Sequence, residues 1–201
     1  EQSSRLLTEK SKINALSTYG KTKLICEKNI HKQKKIKSVI LRFFNVCSAL
    51  DKPLIGELHN PETHLIPTIV YKAIYNKKIY IYGNNFPTPD GTCVRDYIHV
   101  KDICSAIEKS IRYLMKNNKS KIFNIGNNKG ISNKQIINYI KKFVNSDINL
   151  KYVDRRKGDV SRLVCNSNKV QKILNWVPKY SNLKRIINDE INWIKKFNKV
   201  G

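Results

Sequence analysis

One run of the chain, SVILRFFNV at residues 38–46, restricts the fold more than any other feature. Its β-branched and aromatic residues are typical of a parallel strand that is covered on both faces. Shorter strand-like runs follow at 79–82, 97–100, 121–125 and 151–153. Segments with helical periodicity separate them, at 19–34, 65–75, 101–116, 132–144, 167–175 and 183–197. This alternation predicts an α/β fold with a mostly parallel sheet.

Turn residues and helix caps set the boundaries of these elements. Ser17 or Thr18 is expected to cap the first helix, and Ser132 a later one. The segments 50–63 and 83–91 are rich in Pro, Gly and polar residues and are predicted to be loops.

The charge of the chain allows two explanations. The 201 residues carry a formal net charge of +24, which would suit a polyanionic partner such as nucleic acid. However, 31 of the 39 basic residues are Lys, scattered through every segment together with 23 Asn and 10 Tyr, which favours the codon bias of an A/T-rich genome. We therefore expect no nucleic-acid partner. No apolar run approaches the roughly 20 residues of a membrane span, so we expect no membrane either.

The cysteine and histidine spacings indicate neither a disulfide framework nor a metal site. Five Cys are unevenly spaced without a CxxC pair, as expected in a reducing cytoplasm. His59 and His64 lie five residues apart around a proline, which is a loop spacing. The sequence therefore predicts a cytoplasmic protein with no metal ligands.

A tyrosine and a lysine four residues apart are the first candidates for chemistry. On a helix they share a face, and an ammonium beside a phenol favours the phenolate, which could exchange a proton with a sugar hydroxyl. The pattern occurs three times, at Tyr19/Lys23, Tyr97/Lys101 and Tyr180/Lys184, so it is weak by itself.

Several segments in order resemble nucleotide-sugar enzymes of the extended short-chain dehydrogenase/reductase superfamily. Together they cover the chain from about residue 6 to residue 198. The segments are TEKSKINALSTYGKTKLICE (8–27), LRFFNV (41–46), HNPETHLIP (59–67), YGNNFPTPDGTCVRDYIHVKD (82–102), FNIG (123–126) and RRKGD (155–159). The similarity is greatest to the UDP-glucose 4-epimerase family, because related dehydratases and decarboxylases have a shorter loop before "RD" and lack "PTPDGT".

The resemblance implies an NAD-dependent isomerase that interconverts UDP-glucose and UDP-galactose, in galactose metabolism, by oxidising and re-reducing C4. Tyr19 would be the acid and base at the C4 hydroxyl. Lys23 would bind the nicotinamide ribose and lower the pKa of Tyr19. Phe44 would lie behind the nicotinamide, so Tyr19, Lys23 and Phe44 form the expected cofactor site.

The resemblance also assigns nine substrate-binding positions. The two arginines would bind the diphosphate, the aromatic residues the uracil, and the leucine at 163 would border the sugar. These positions are Asn45, His64, Leu65, Tyr80, Tyr82, Arg95, Arg156, Asp159 and Leu163. Two arginines distant in sequence can converge on a diphosphate through bidentate bonds. The alternative is an Arg–Asp pair that fixes a loop, either Arg95 with Asp96 or Arg156 with Asp159.

Two substitutions and two absences depart from the family pattern. His64 replaces a commoner Asn, which leaves its hydrogen-bonding role open. Leu163 replaces a Tyr that limits the sugar pocket in some members, so UDP-N-acetylglucosamine is an open alternative substrate. No GxxGxxG dinucleotide motif occurs among the eight isolated glycines. The family's catalytic Ser has no counterpart either, and the only Met is Met115. We therefore expect the chain to correspond to the C-terminal part of such an enzyme and to be inactive alone.

The predicted fold class is the C-terminal part of an NAD(P)-binding Rossmann fold together with a smaller mixed α/β UDP-sugar-binding domain. Residues 1–45 and 97–126 would belong to the Rossmann domain, and residues 46–96 and 127–201 to the sugar domain. The family is usually homodimeric. Two alternatives stay open: another UDP-sugar epimerase or dehydratase of the superfamily, and a non-catalytic, truncated sugar-nucleotide-binding protein.

Overall fold

The computed structural model describes residues 6–144 and 148–197. Within them, α-helices and short strands alternate along the chain, which confirms the predicted α/β class. The helices are α1 (Thr18–Lys32), α2 (Leu65–Ile74), α3 (Val100–Asn117), α4 (Asn133–Val144), α5 (Asn168–Leu174) and α6 (Leu183–Phe197). The strands are β1 (Val39–Phe43), β2 (Asn45–Cys47), β3 (Leu50–Asp51), β4 (Leu54–Ile55), β5 (Ile79–Tyr82), β6 (Val94–His99), β7 (Lys121–Ile125), β8 (Gly130–Ser132), β9 (Leu150–Val153) and β10 (Arg162–Leu163).

Most strand pairs are parallel, as predicted. The parallel pairs are β1 with β7, β2 and β10 with β6, and β5 with β9. Only β8 on β6 and the small β3–β4 hairpin are antiparallel among the described strands. Parallel strands present their carboxyl ends at one edge of a sheet, where ligands of α/β proteins bind.

The run 38–46 forms two strands instead of one. β1 pairs with β7 up to Phe43, where the partner is Ile125, and β2 then pairs with β6 from Asn45 onwards. Phe44 lies between them, and its N–H donates to the Ile125 carbonyl at 3.1 Å. The change of partner lets one extended segment reach two sheets.

The structure contains short strands that the sequence did not indicate. The expected loop 50–63 holds the β3–β4 hairpin, and β8 and β10 were not predicted. β6 begins at Val94, three residues before the expected strand. Each of these strands, and the added part of β6, has only two or three residues. That is too few for a hydrophobic period to be recognised in the sequence.

Two hydrophobic cores hold the chain together. The larger packs α2, α4 and α6 around β5, with Ile69, Ile137 and Ile186 fully buried. The smaller packs α3 and α5 against β7 and includes Phe123 and Trp176. None of the described helices has the length and apolar character that crossing a membrane requires.

One side of the chain is less buried than the sequence predicted. None of the side chains of α1 is buried, and Ile25 and Ile30 are exposed. β1 is half-buried along most of its length and Phe43 is exposed, although the run was expected to be covered on both faces. An apolar surface formed by α1 and β1 is therefore open in this structure.

Candidate active site

Tyr19 and Lys23 are the only YxxxK pair of the three that lies within one helix of the described chain. Tyr97 is in β6 while Lys101 is in α3, and Tyr180 precedes α6. In α1, the Lys23 Nζ lies 5.3 Å from the centre of the Tyr19 ring. The ammonium therefore lies beside the aromatic ring of Tyr19.

Ser17 fixes the start of this helix. It has an extended backbone, and its hydroxyl accepts the N–H of Gly20 at 3.0 Å, which confirms the predicted cap. The cap places Tyr19 in the first turn of α1, where the residue is 73% exposed. The phenol is thus accessible to a ligand.

Tyr19 opens onto a cavity of about 920 Å³. Its lining includes five of the predicted site residues, which are Tyr19, Phe44, Asn45, His64 and Leu163. Part of its lining comes from the place where β1 ends and β2 begins, at Phe44 and Asn45. We call this space the Tyr19 cavity.

A second cavity of about 450 Å³ lies next to it and contains most of the predicted substrate-binding residues. Its lining includes Asn45, His64, Leu65, Tyr80, Tyr82, Arg95, Arg156 and Asp159. We call it the arginine cavity. Asn45 and His64 line both cavities, so the two are adjacent at these side chains. Lys23 is the only predicted site residue that lines neither.

Charged and aromatic side chains are paired in the arginine cavity. The Arg95 Nη2 lies 3.6 Å from the Asp159 carboxylate, and its Nη1 donates to the Val94 carbonyl at 3.0 Å. The Arg156 guanidinium carbon lies 3.9 Å from the centre of the Tyr82 ring. The stacking leaves the N–H groups of Arg156 available at the ring edges for an anionic ligand.

The structure adds lining residues that the sequence did not point to. The Thr68 hydroxyl is buried without a hydrogen-bond partner in the described chain, and it lines the arginine cavity one turn after His64. The Lys72 Nζ lies 5.5 Å from the centre of the Tyr80 ring. Cys93 also lines this cavity, and burial raises the pKa of its thiol, which keeps it neutral. For Thr68 and Lys72, the only sequence signal is their helical spacing from His64, four and eight residues further on.

A buried carboxylate next to Arg95 shapes the loops around the site. Asp96 accepts the backbone N–H groups of Asn127 (2.8 Å), Asn128 (3.0 Å) and Cys165 (3.1 Å). Burial raises the pKa of Asp96 to about 6, although the three N–H bonds act in the opposite direction. Asp96 is therefore structural, and the Arg95–Asp96 pair that the sequence allowed is not formed, because Arg95 contacts Asp159.

A further cavity of about 850 Å³ lies between α4 and the segment 178–183. It is lined by none of the predicted site residues. The two adjacent cavities are therefore the candidate active site.

The α/β fold is of the Rossmann type found in UDP-glucose 4-epimerases, and the comparisons with known proteins show the family of the chain. The family model described as GDP-mannose 4,6 dehydratase matches residues 1–189, so the chain belongs to this family.

Within the family, the chain is similar to UDP-glucose 4-epimerases. It is 37% identical to that of Rhizobium meliloti (strain 1021) over 97% of its own length and 60% of the relative's. For that of Lacticaseibacillus casei the identity is 42%, over 87% of the chain and 54% of the relative. The chain thus spans less than two thirds of the length of the curated relatives that it matches.

Solved structures give the same result. A crystal structure of UDP-glucose 4-epimerase superposes with a TM-score of 0.89 at 40% identity, over 95% of this chain and 59% of that one. The UDP-glucose 4-epimerase from Brucella ovis in complex with NAD gives a TM-score of 0.89 at 31% identity, over 96% of this chain and 60% of the other. These neighbours confirm the predicted fold class and the resemblance.

Proposed function

We propose that the chain carries the UDP-sugar site and the proton-transfer residues of an NAD-dependent UDP-glucose 4-epimerase. The observation that carries this proposal is the arrangement of the predicted residues: all but Lys23 line two adjoining cavities, and Lys23 is beside Tyr19. The solved UDP-glucose 4-epimerase from Bifidobacterium longum, similar in fold, is a complex with NAD+ and UDP.

In this proposal the arginine cavity binds the UDP group. Three cationic and two anionic side chains line it, which favours an anionic ligand. Arg95 and Arg156 bind the diphosphate through charge-assisted hydrogen bonds, and Asp159 accepts from the ribose. Tyr80 and Tyr82 supply aromatic surface for the uracil, while Asn45, His64 and Leu65 border the ligand toward the Tyr19 cavity.

The Tyr19 cavity would hold the hexose and the nicotinamide. Its residues fit the cofactor, since the accessible Tyr19 phenol and the Phe44 ring border one space and Lys23 supplies a cation beside the phenol. NAD bound there would supply the hydride acceptor and donor for C4. The Tyr19 phenolate takes the proton of the C4 hydroxyl and, as the neutral phenol, gives it back. Lys23 stabilises the phenolate that is present before the first of these steps and after the second.

We also propose the division of the chain that the sequence suggested, with residues 1–45 and 97–126 on the Rossmann side and 46–96 and 127–201 on the sugar side. The two hydrophobic cores support it, because the larger is formed mainly by the second group. α5 and Trp176 are exceptions, since they pack into the smaller core. Homodimerisation, a cytoplasmic location and the lack of a nucleic-acid partner stay predictions.

Binding of UDP to the purified chain tests the arginine cavity. We expect calorimetry to show one site, and Arg156→Met to weaken it about tenfold or more, because a charge-assisted contact worth about 1.5–3 kcal/mol is lost. Arg112→Met is the matched control, since Arg112 is exposed on α3 and pairs with Glu108 outside both cavities. Equal losses in the two variants would contradict the proposal.

Activity tests the Tyr19 cavity. A chimera in which this chain replaces the matching segment of the Rhizobium meliloti relative should convert UDP-galactose into UDP-glucose with NAD. Tyr19→Phe should lower kcat by about 10²–10⁴, the usual contribution of a general acid and base. Tyr180→Phe, from a YxxxK pair that does not lie on one helix, should keep the activity.

A second substrate class is favoured by one observation. Leu163 lines the same cavity as Tyr19. By the family resemblance, it is a smaller side chain than the Tyr that some members have at this position. We propose that the space admits the N-acetyl group of UDP-N-acetylglucosamine. In the chimera, Leu163→Tyr should abolish turnover of that substrate and spare UDP-glucose; no turnover by the parent chimera would contradict this.

A further inference from the structure

Two histidines and two glutamates meet in the loop that leads into α2. The His64 Nδ1 lies 3.3 Å from Glu57 Oε2 and 3.4 Å from Glu62 Oε1. The His59 Nε2 lies 3.4 Å from Glu57 Oε1, and its ring centre is 5.0 Å from that of His64. Glu57, His59 and His64 each offer one ligand atom, and these three atoms all lie within 4.8 Å of one another.

Contacts that involve no ion hold the loop at Glu57 and at His64. Gly56 lies against the Trp193 indole so closely that a Cβ atom would approach the ring within 2.6 Å. The Trp193 Nε1 donates to the Glu57 carbonyl at 3.0 Å. Farther on, the Glu62 carboxylate accepts the His64 N–H at 2.7 Å. Binding would therefore require little ordering of the backbone.

The spacing of the donor atoms suits a small tetrahedral ion. Zn²⁺ binds His nitrogen and carboxylate oxygen at about 2.0–2.2 Å, so two ligand atoms of a tetrahedron lie about 3.4 Å apart. The Glu57 carboxylate approaches both histidines at this length, His59 through Oε1 and His64 through Oε2. With one ligand atom from each residue the three atoms lie within 4.8 Å of one another, so a small movement of the side chains would close the tetrahedron. Imidazole donors favour Zn²⁺ and its neighbours in the transition series over Mg²⁺ or Ca²⁺, which prefer oxygen.

We propose that Glu57, His59 and His64 bind a divalent transition-metal ion of the Zn²⁺ class. Three protein ligands leave a fourth position for water or an anion. Glu57 and His64 line the Tyr19 cavity, so the ion sits in its wall. The His59–His64 spacing by itself predicted no metal site. The third donor, Glu57, is brought close to both histidines by the conformation of the loop.

Cobalt is the probe for this site, because its visible absorption reports the coordination geometry. The purified chain, freed of metal with a chelator that is then removed, is titrated with Co²⁺. We expect one equivalent to give the intense visible bands of a tetrahedral complex and Zn²⁺ to remove them. His59→Gln and Glu57→Gln should each weaken binding at least about tenfold, because the loss of a ligand costs no less than the loss of an outer partner.

His31→Gln is the matched control, since His31 is an exposed histidine of α1 near a glutamate, Glu27, and outside the cluster. It should bind Co²⁺ as the parent does. His59→Cys should restore binding and add a thiolate-to-cobalt band in the near ultraviolet, which separates ligand loss from misfolding. Weak octahedral bands in the parent, or bands that survive in His59→Gln through the exposed Cys26 or Cys104, would overturn the proposal.

Discussion

Glu190 is a buried acid on α6 whose surroundings oppose its ionisation. Burial, and then repulsion by Glu62 and Glu57, raises its pKa from 4.5 to about 7. In the unfolded chain the carboxyl ionises near pH 4.5, whereas in the folded chain it keeps its proton up to about pH 7. Stability therefore falls as pH rises through this window, by on the order of 3 kcal/mol.

Glu190→Gln should remove this pH dependence. We expect the variant to lose less stability than the parent between pH 5 and pH 8, and to be the more stable of the two at pH 8. Urea denaturation at several pH values, with a chelator present to keep metal from Glu57 and Glu62, measures the difference. Parallel curves for the two proteins would show that Glu190 is not the group responsible.

Asp96 has a raised pKa of the same sign but a different expected result. Its carboxylate accepts three backbone N–H groups, whereas the single carbonyl oxygen of an amide can serve only some of them. Asp96→Asn should therefore destabilise the chain at every pH, by about 1–3 kcal/mol for the donors left unpaired. Urea denaturation of the variant at pH 5 and pH 8 tests this, and a gain in stability at pH 8 would contradict it.

At the scale of the element, α1 carries the reactive pair but contributes nothing to either core. It is tied to β1 by polar contacts, since the Arg42 Nε donates to Glu27 at 2.9 Å. The Arg42 hydrogen bond lowers the pKa of Glu27, as expected for a paired carboxylate. A helix without buried side chains opens at low free-energy cost.

We expect the amides of α1 to exchange hydrogen faster than those of α3, α4 and α6. Glu27→Gln should increase the exchange of α1 further and leave α6 unchanged, because it removes the charge-assisted contact to β1. Mass spectrometry of peptides from the two regions measures this. Equal protection of α1 and α6 in the parent chain would show that polar contacts alone hold the helix firmly.

The elements differ in how far the sequence could predict them. α6 was predicted at 183–197 and is found at these residues, because its apolar period is regular. The cap of α4 was equally clear. The Ser132 hydroxyl accepts the Gln135 N–H at 3.1 Å, and the Ser132 N–H donates to the Gln135 side-chain oxygen at 2.8 Å. β8 and β10 were missed because each is fixed only by pairing with distant β6, which leaves no local signal.

The candidate site shows the same division between local and distant information. The resemblance identified the polar and aromatic residues, and the structure brings all but Lys23 to two cavities. Thr68 and Lys72 lie in an ordinary amphipathic helix, and only the packing of α2 against β5 turns them toward the arginine cavity. Glu57 escaped notice because a carboxylate in a loop has no distinctive sequence pattern.

For the whole molecule, the open surface of α1 and β1 predicts association. Exposed Ile25, Ile30 and Phe43 lie on these elements, and an apolar patch of this kind favours self-association or poor solubility. We expect the purified 201-residue chain to bind a hydrophobic dye. In sedimentation we expect a mixture of species whose average mass increases with protein concentration. A monomeric chain with a single cooperative melt and no dye binding would contradict this prediction.

Asn45 and His64, which line both cavities, have a consequence for how such a site can change. A substitution at either position disturbs the anchoring of the nucleotide and the surroundings of the phenol at once, so affinity and turnover cannot be adjusted independently there. Leu163 and Lys72 each border one cavity only. A change of specificity toward a new sugar or a new base is therefore expected to involve substitutions at Leu163 or Lys72, while Asn45 and His64 stay the same.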